Sequence, residues 1–121
     1  MKIFKLVLFT LTFLNISIGC KSKSVNDLKI IEVHIVDYGK IHLDKTKIDK
    51  LSSITKINKK HFTSSIYYIN EKNTIGIPIN DKLFNHDFFN NYDYENNKKV
   101  KVYLKKYIYE NKDYFIAIKI E

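Results

Sequence analysis

The sequence predicts an α+β domain over residues 28–121, a mostly antiparallel sheet of about five strands with one or two short helices. Three observations predict it. Apolar residues alternate with period two in several stretches, the pattern of half-buried strands. Two stretches break that rhythm and repeat apolar residues at helical spacing. Short polar clusters separate the later alternating runs and read as hairpin turns.

The elements follow in order. In the first strand Ile31, Val33 and Ile35 face one way, with Glu32 and His34 opposite. From Asp44 to Ile57, the residues Ile48, Leu51, Ile54 and Ile57 recur every three positions. That spacing predicts a helix, with Asp44 or Thr46 as its cap and Ser52, Ser53 and Thr55 weakening it. Ser65 to Asn70 is a strand rich in Ile and Tyr. Asn70-Glu71-Lys72-Asn73 then turns the chain into a second arm carrying Ile75, Ile77 and Ile79. Pro78 cannot donate to a ladder, so this arm is expected at an edge or ends there. From Asp81 to Tyr92, the side chains of Leu83, Phe84, Phe88 and Tyr92 share one side, with Asp81 as cap. A short helix or a few tight turns is expected. Lys99 to Tyr109, the turn Glu110-Asn111-Lys112-Asp113, and Tyr114 to Ile120 form the last hairpin, both arms rich in branched and aromatic residues. Five strands with a helix before the last two also suit a small barrel of the oligonucleotide/oligosaccharide-binding type, an analogy of topology alone.

The chain starts with a different kind of segment. Lys2 and Lys5 give a basic start, Leu6 to Ile18 carries no charge, and Ser17-Ile18-Gly19-Cys20 ends the run on the only cysteine. The apolar run is shorter than the roughly twenty residues that span a bilayer. A basic flank, a short apolar run and a small residue read as a secretory signal. Cut near Gly19, the chain would be secreted; uncut, the segment would be an anchor. The order basic, apolar, small, Cys resembles the signal peptide of bacterial lipoproteins, with Gly19 before the cysteine and Ser17 where that class usually has a large aliphatic residue. The resemblance covers residues 1–20. It implies a signal peptide over 1–19, a lipidated Cys20 opening a polar tether over 20–27, and a single domain over 28–121. It also implies a membrane-anchored protein of the bacterial cell envelope, facing outside the cytoplasm. Cys20 would carry a diacylglycerol, whose chains, palmitate among them, hold more firmly than a single chain does. Cys20 would then be unavailable for a disulfide, a nucleophile or a metal site.

Composition narrows the function classes. The formal charge is +8, yet all 21 basic residues are lysine; arginine, glutamine and tryptophan are absent, and Ala117 is the only alanine. Ile, Lys, Asn, Phe and Tyr have AT-rich codons, so part of the lysine excess reflects base composition. Without arginine the chain lacks the fork best suited to phosphate or guanine, and no nucleic-acid partner is expected. The charge still favours an acidic partner or an anionic surface.

The candidate binding face lies on the last hairpin. Val100, Val102, Leu104 and Ile108 form an apolar side, which leaves Lys101, Tyr103, Lys105, Tyr107 and Tyr109 together on the other. A face of lysine and tyrosine suits a protein partner, or a saccharide or anionic polymer through stacking and charge. It is equally an ordinary soluble strand face, since Tyr favours strands and Lys protects edges. A second candidate is the cluster Phe84, Phe88, Phe89, Tyr92 and Tyr94. Phe88 and Phe89 are adjacent and cannot share one helical stripe, so one is left for contact unless the segment packs over an open end of the sheet. His34, His42, His61 and His86 lack the i, i+2 or i, i+4 spacing that places two metal donors on one side, and no metal or cofactor is expected. Asp93 and Glu95 are the only close pair of acids and read as a turn. Three glycines leave no phosphate loop or nucleophile elbow. The sequence therefore predicts a non-catalytic protein-binding module of the accessory-subunit or inhibitor type, with a saccharide or polyanion binder as the alternative.

Overall fold

The alternating segments pair into two three-stranded antiparallel sheets in the computed structural model, which describes residues 27–96 and 98–121. The signal segment, Cys20 and the tether through Asn26 lie outside the described residues. The strands are β1 (Leu28–Val33), β2 (Ile35–Lys40), β3 (Ser64–Asn70), β4 (Asn73–Pro78), β5 (Val100–Tyr109) and β6 (Lys112–Ile120). One sheet has the order β1-β5-β6 and the other β2-β3-β4. One helix, α1 (Lys45–Thr55), follows β2, and 3-10 turns span Lys59–His61 and His86–Asn91. The fold is α+β. No helix among the described residues is long and apolar enough to cross a membrane.

The expected five strands are six, and the sheet does not close into a barrel. The extra strand arises at His34. Pairing of β1 with β5 ends at Val33 opposite Val100, and pairing of β2 with β3 begins at Ile35 opposite Tyr68. The chain thus changes sheets inside the run read as one strand. Alternation hides the change, because Ile31, Val33 and Ile35 all pack against the same core on either side of it. Opposite this corner the sheets share an isolated parallel bridge, Ile79 with Ala117, extended by a 3.0 Å hydrogen bond from Asn80 N–H to the Ala117 carbonyl.

The main core lies between the sheets. It gathers Ile35, Ile66, Ile77, Ile79, Phe84, Val102, Leu104, Ala117 and Ile120. Branched side chains dominate, as strands facing a shared interior favour. A smaller cluster joins Leu51 of α1 to Ile41, Phe62 and Ile116. Ile116 and Ala117 are adjacent on β6 and serve the two clusters separately, as successive strand residues point to opposite faces.

Local chemistry explains the boundaries. Asp44 caps α1, its carboxylate accepting from Lys47 N–H at 2.8 Å. Lys56 ends the helix in the left-handed region (φ 63°), donating to the Ser52 carbonyl. β4 ends at Pro78 and is an edge strand, as the proline requires. The Asp81–Tyr92 stretch differs from the expected helix in two respects. Leu83 is 61% exposed and not on the buried side. Asp81 does not cap the segment; it accepts from the Thr63 amide and from the Thr63 and Ser64 hydroxyls. Phe88 and Phe89 both pack on the main core, and Phe89 stacks on Tyr38 with centroids 4.1 Å apart. The aromatic segment therefore covers the sheet instead of offering a free ring.

Candidate functional site

Register fixes which side chains share the outer face of the β1-β5-β6 sheet. Leu28 lies opposite Lys105, Ile30 opposite Tyr103 and Glu32 opposite Lys101. On the other side of β5, Tyr103 faces Lys119, Lys105 faces Ile116 and Tyr107 faces Tyr114. Directly paired residues project to the same side of a sheet. Lys101, Tyr103 and Lys105 thus stand in a row between the exposed Leu28 (52%) and Ile30 (51%) and the residues of β6.

Polar contacts organise one end of this face. The Tyr103 hydroxyl donates to Glu121 Oε2, and Lys119 Nζ lies 3.8 Å from Glu121 Oε1. The same ammonium sits 5.3 Å from the centre of the Tyr103 ring. Backbone bonds of 2.9 Å in both directions tie Glu121 to Lys101. The hydrogen bond from Tyr103 is the main reason that the Glu121 carboxyl lies below its ordinary range, with Lys119 and Lys101 adding. The Tyr103 phenol is raised, first by that same bond.

The five residues predicted from β5 keep one side of the strand but meet different surroundings. Lys101, Tyr103 and Lys105 occupy the outer face. Tyr107 packs against the smaller cluster of Ile41, Leu51, Phe62 and Ile116, and burial, then the charge of Asp27, raises its phenol. Lys105 Nζ lies over the Tyr107 ring, 5.5 Å from its centre. Tyr109 sits at the hairpin end opposite Lys112. On the apolar side Val102 and Leu104 are buried, but Ile108 is 63% exposed, because β5 runs on past the core. A bulge contributes to the change of environment: Tyr103 pairs with Lys119 and Leu104 with Ala117, which leaves Ile118 as the extra residue of β6. Leu28 and Ile30 were missed by sequence reasoning. Their signal was the opposite phase of the first alternating run, Leu28, Ile30 and Glu32.

A second polar group needs a chemical reading. Asp81 Oδ1 lies 3.1 Å from His86 Nε2, and His86 Nδ1 lies 2.5 Å from the Tyr38 hydroxyl. This is a carboxylate–imidazole–phenol chain. Catalysis would need an activated terminal hydroxyl. Burial and the Asp81 charge instead raise the Tyr38 phenol, which makes phenolate harder to form. The Ser64 hydroxyl bonds the carboxylate at 2.8 Å and not the imidazole, so it is not placed as a triad nucleophile. The chain fastens the His86–Asn91 turn to both strands of the β2-β3 pair. Asp93 and Glu95 lie in a bend, where Asp93 Oδ1 accepts from the Glu95 and Asn96 amides. Among the described residues no three His, Cys, Asp or Glu side chains converge as a metal site.

Comparison with known proteins adds no relative to these observations: no family model, no curated protein and no solved structure matches the chain.

Proposed function

We propose that this chain is a small bacterial envelope lipoprotein, anchored through Cys20, that acts without catalysis by binding an acidic protein surface. The outer face of the β1-β5-β6 sheet is the contact. The observation behind this reading is the exposure of Leu28 and Ile30 beside Tyr103 on a face that also presents Lys101 and Lys105. Apolar and aromatic side chains supply desolvated contact area, and the flanking lysines select a partner of opposite charge.

Two measurements test the reading. Labelled palmitate should enter the wild-type protein and not Cys20→Ser; label retained by the variant sinks the anchor. The full-length protein isolated from membranes should retain a stoichiometric partner at low salt. Ile30→Asp with Tyr103→Ala should release that partner while the circular dichroism spectrum stays unchanged. Retention by the double variant rejects the face. Salt-sensitive retention of a polysaccharide, with no protein, would favour the saccharide or polyanion reading.

A further inference from the structure

We propose that the cleft between the two sheets and α1 binds a long-chain carboxylate, a fatty acid. This goes beyond the outer-face reading and does not rest on it, because none of Leu28, Ile30, Lys101, Tyr103 and Lys105 lines the cleft. Its volume is about 510 Å³, within the roughly 300–1,000 Å³ of small-molecule sites.

The walls continue the main core outward. Ile31, Leu104 and Phe115 line the cleft from one sheet, and Tyr68, Ile75 and Ile77 from the other. α1 contributes Leu51 and Ile54, and Lys47 and Lys50 stand on the same helical stripe. Leu51 is buried while both lysines are exposed, so the stripe passes from apolar to cationic at the cleft. Lys29 and Lys112 also line it. Lys29 Nζ lies 4.9 Å from the Phe115 ring centre and Lys112 Nζ 5.9 Å from that of Tyr114. Both rings belong to the lining, so they hold the ammonium groups against the cleft. Asp113 is the only acid in the lining. Among the described residues none of these four lysines forms an ion pair.

The occupant follows from this chemistry. An apolar floor under four cations and one anion suits a molecule that is apolar along its length and negative at one end. Each methylene buried contributes about 0.8 kcal/mol. Lysine is a compact point charge and makes no bidentate demand, which suits a carboxylate. A peptide fits less well. Among the lining side chains the polar groups are mainly lysine, which only donates, so a peptide's amides would be left to the strand edges for acceptors.

The test uses the full-length protein in phosphatidylcholine vesicles with a diazirine-bearing hexadecanoic acid. After irradiation, adducts should map to peptides carrying Ile54, Ile77 and Leu104, and palmitate but not hexadecanol should compete. Ile54→Trp fills the cleft, and Lys47→Glu with Lys50→Glu reverses two exposed charges without touching the core. Each variant should reduce cleft adducts by about tenfold, the effect of about 1.4 kcal/mol, with partner capture by the outer face unchanged. Adducts that hexadecanol competes equally, that map to the outer face, or that persist in the Lys47/Lys50 variant overturn the proposal. Displacement by an acidic peptide and not by palmitate overturns it in favour of a peptide.

Discussion

Asn85 shows how much one side chain can do where no strand is available. Its Nδ2 donates to the Ile120 carbonyl at 2.8 Å and its Oδ1 accepts from the Ile120 amide at 3.0 Å. The side-chain amide thus imitates a strand residue and completes the end of β6. Ile120 is fully buried, so losing this partner strands two backbone groups next to the core. Asn85→Ala should lower stability by about 1–3 kcal/mol, the cost of leaving such groups unpaired. Urea unfolding checks it, with Leu83→Ser as a near-neutral control because Leu83 is exposed. A loss no larger than that of the control would show that water replaces the amide. Nothing in the sequence marks Asn85 among its many asparagines. Its role depends on a contact with a residue 35 positions away.

At the scale of elements, the two hairpins are the parts of the fold most legible in the sequence. Each joins alternating arms through a two-residue loop, Glu71-Lys72 and Glu110-Asn111. Alternation reports which side of a strand faces inward, and the polar pairs report where it reverses. What alternation cannot report is the layer that covers a face. Tyr107 has the sequence pattern of Tyr103, yet the chain between Ile41 and Phe62 packs over one and leaves the other on the surface. The break at His34 was invisible for a related reason, since the phase is the same before and after it. The last hairpin also leaves room for improvement. Glu110 and Asn111 both have positive φ, 52° and 63°, the requirement of a type I′ turn. Asparagine takes up this conformation at lower cost than glutamate. Glu110→Asn with Asn111→Gly should therefore stabilise the protein by about 0.5–1 kcal/mol, from the strain removed at those positions. A raised urea midpoint at unchanged slope checks it. Destabilisation would show that the Glu110 side chain is needed for more than the turn.

Across the whole molecule, tyrosines link the fold to pH. Tyr38, Tyr68, Tyr94 and Tyr107 have raised phenols, burial being the first cause in each, and Tyr103 is raised first by its bond to Glu121. They span both sheets, the smaller cluster and the segment after the His86–Asn91 turn, so no single element accounts for their response. In the unfolded chain a tyrosine ionises near about 10. In the fold these five hold their protons to higher pH. Between the two values the unfolded chain binds fewer protons than the native one, so the free energy of unfolding falls as pH rises. Their contribution is fully present below about 10 and is lost as pH climbs through the raised values. The acid side has the opposite sign. Asp93 is lowered first by the Asn96 amide and Glu121 first by Tyr103, so what they contribute is lost as pH falls through their depressed values. The alkaline limb is the more informative, because tyrosinate absorbance reads the ionising groups directly. The native protein should titrate later than the urea-unfolded chain, and the urea midpoint should begin to fall where the two curves separate. Tyr107→Phe removes one raised phenol and keeps its ring against Ile41 and Leu51. That variant should lessen the alkaline loss of stability and leave the neutral region nearly unchanged. Coincident native and unfolded titrations would mean that water reaches these phenols freely, and the packing of Tyr38 and Tyr107 described above would then be wrong.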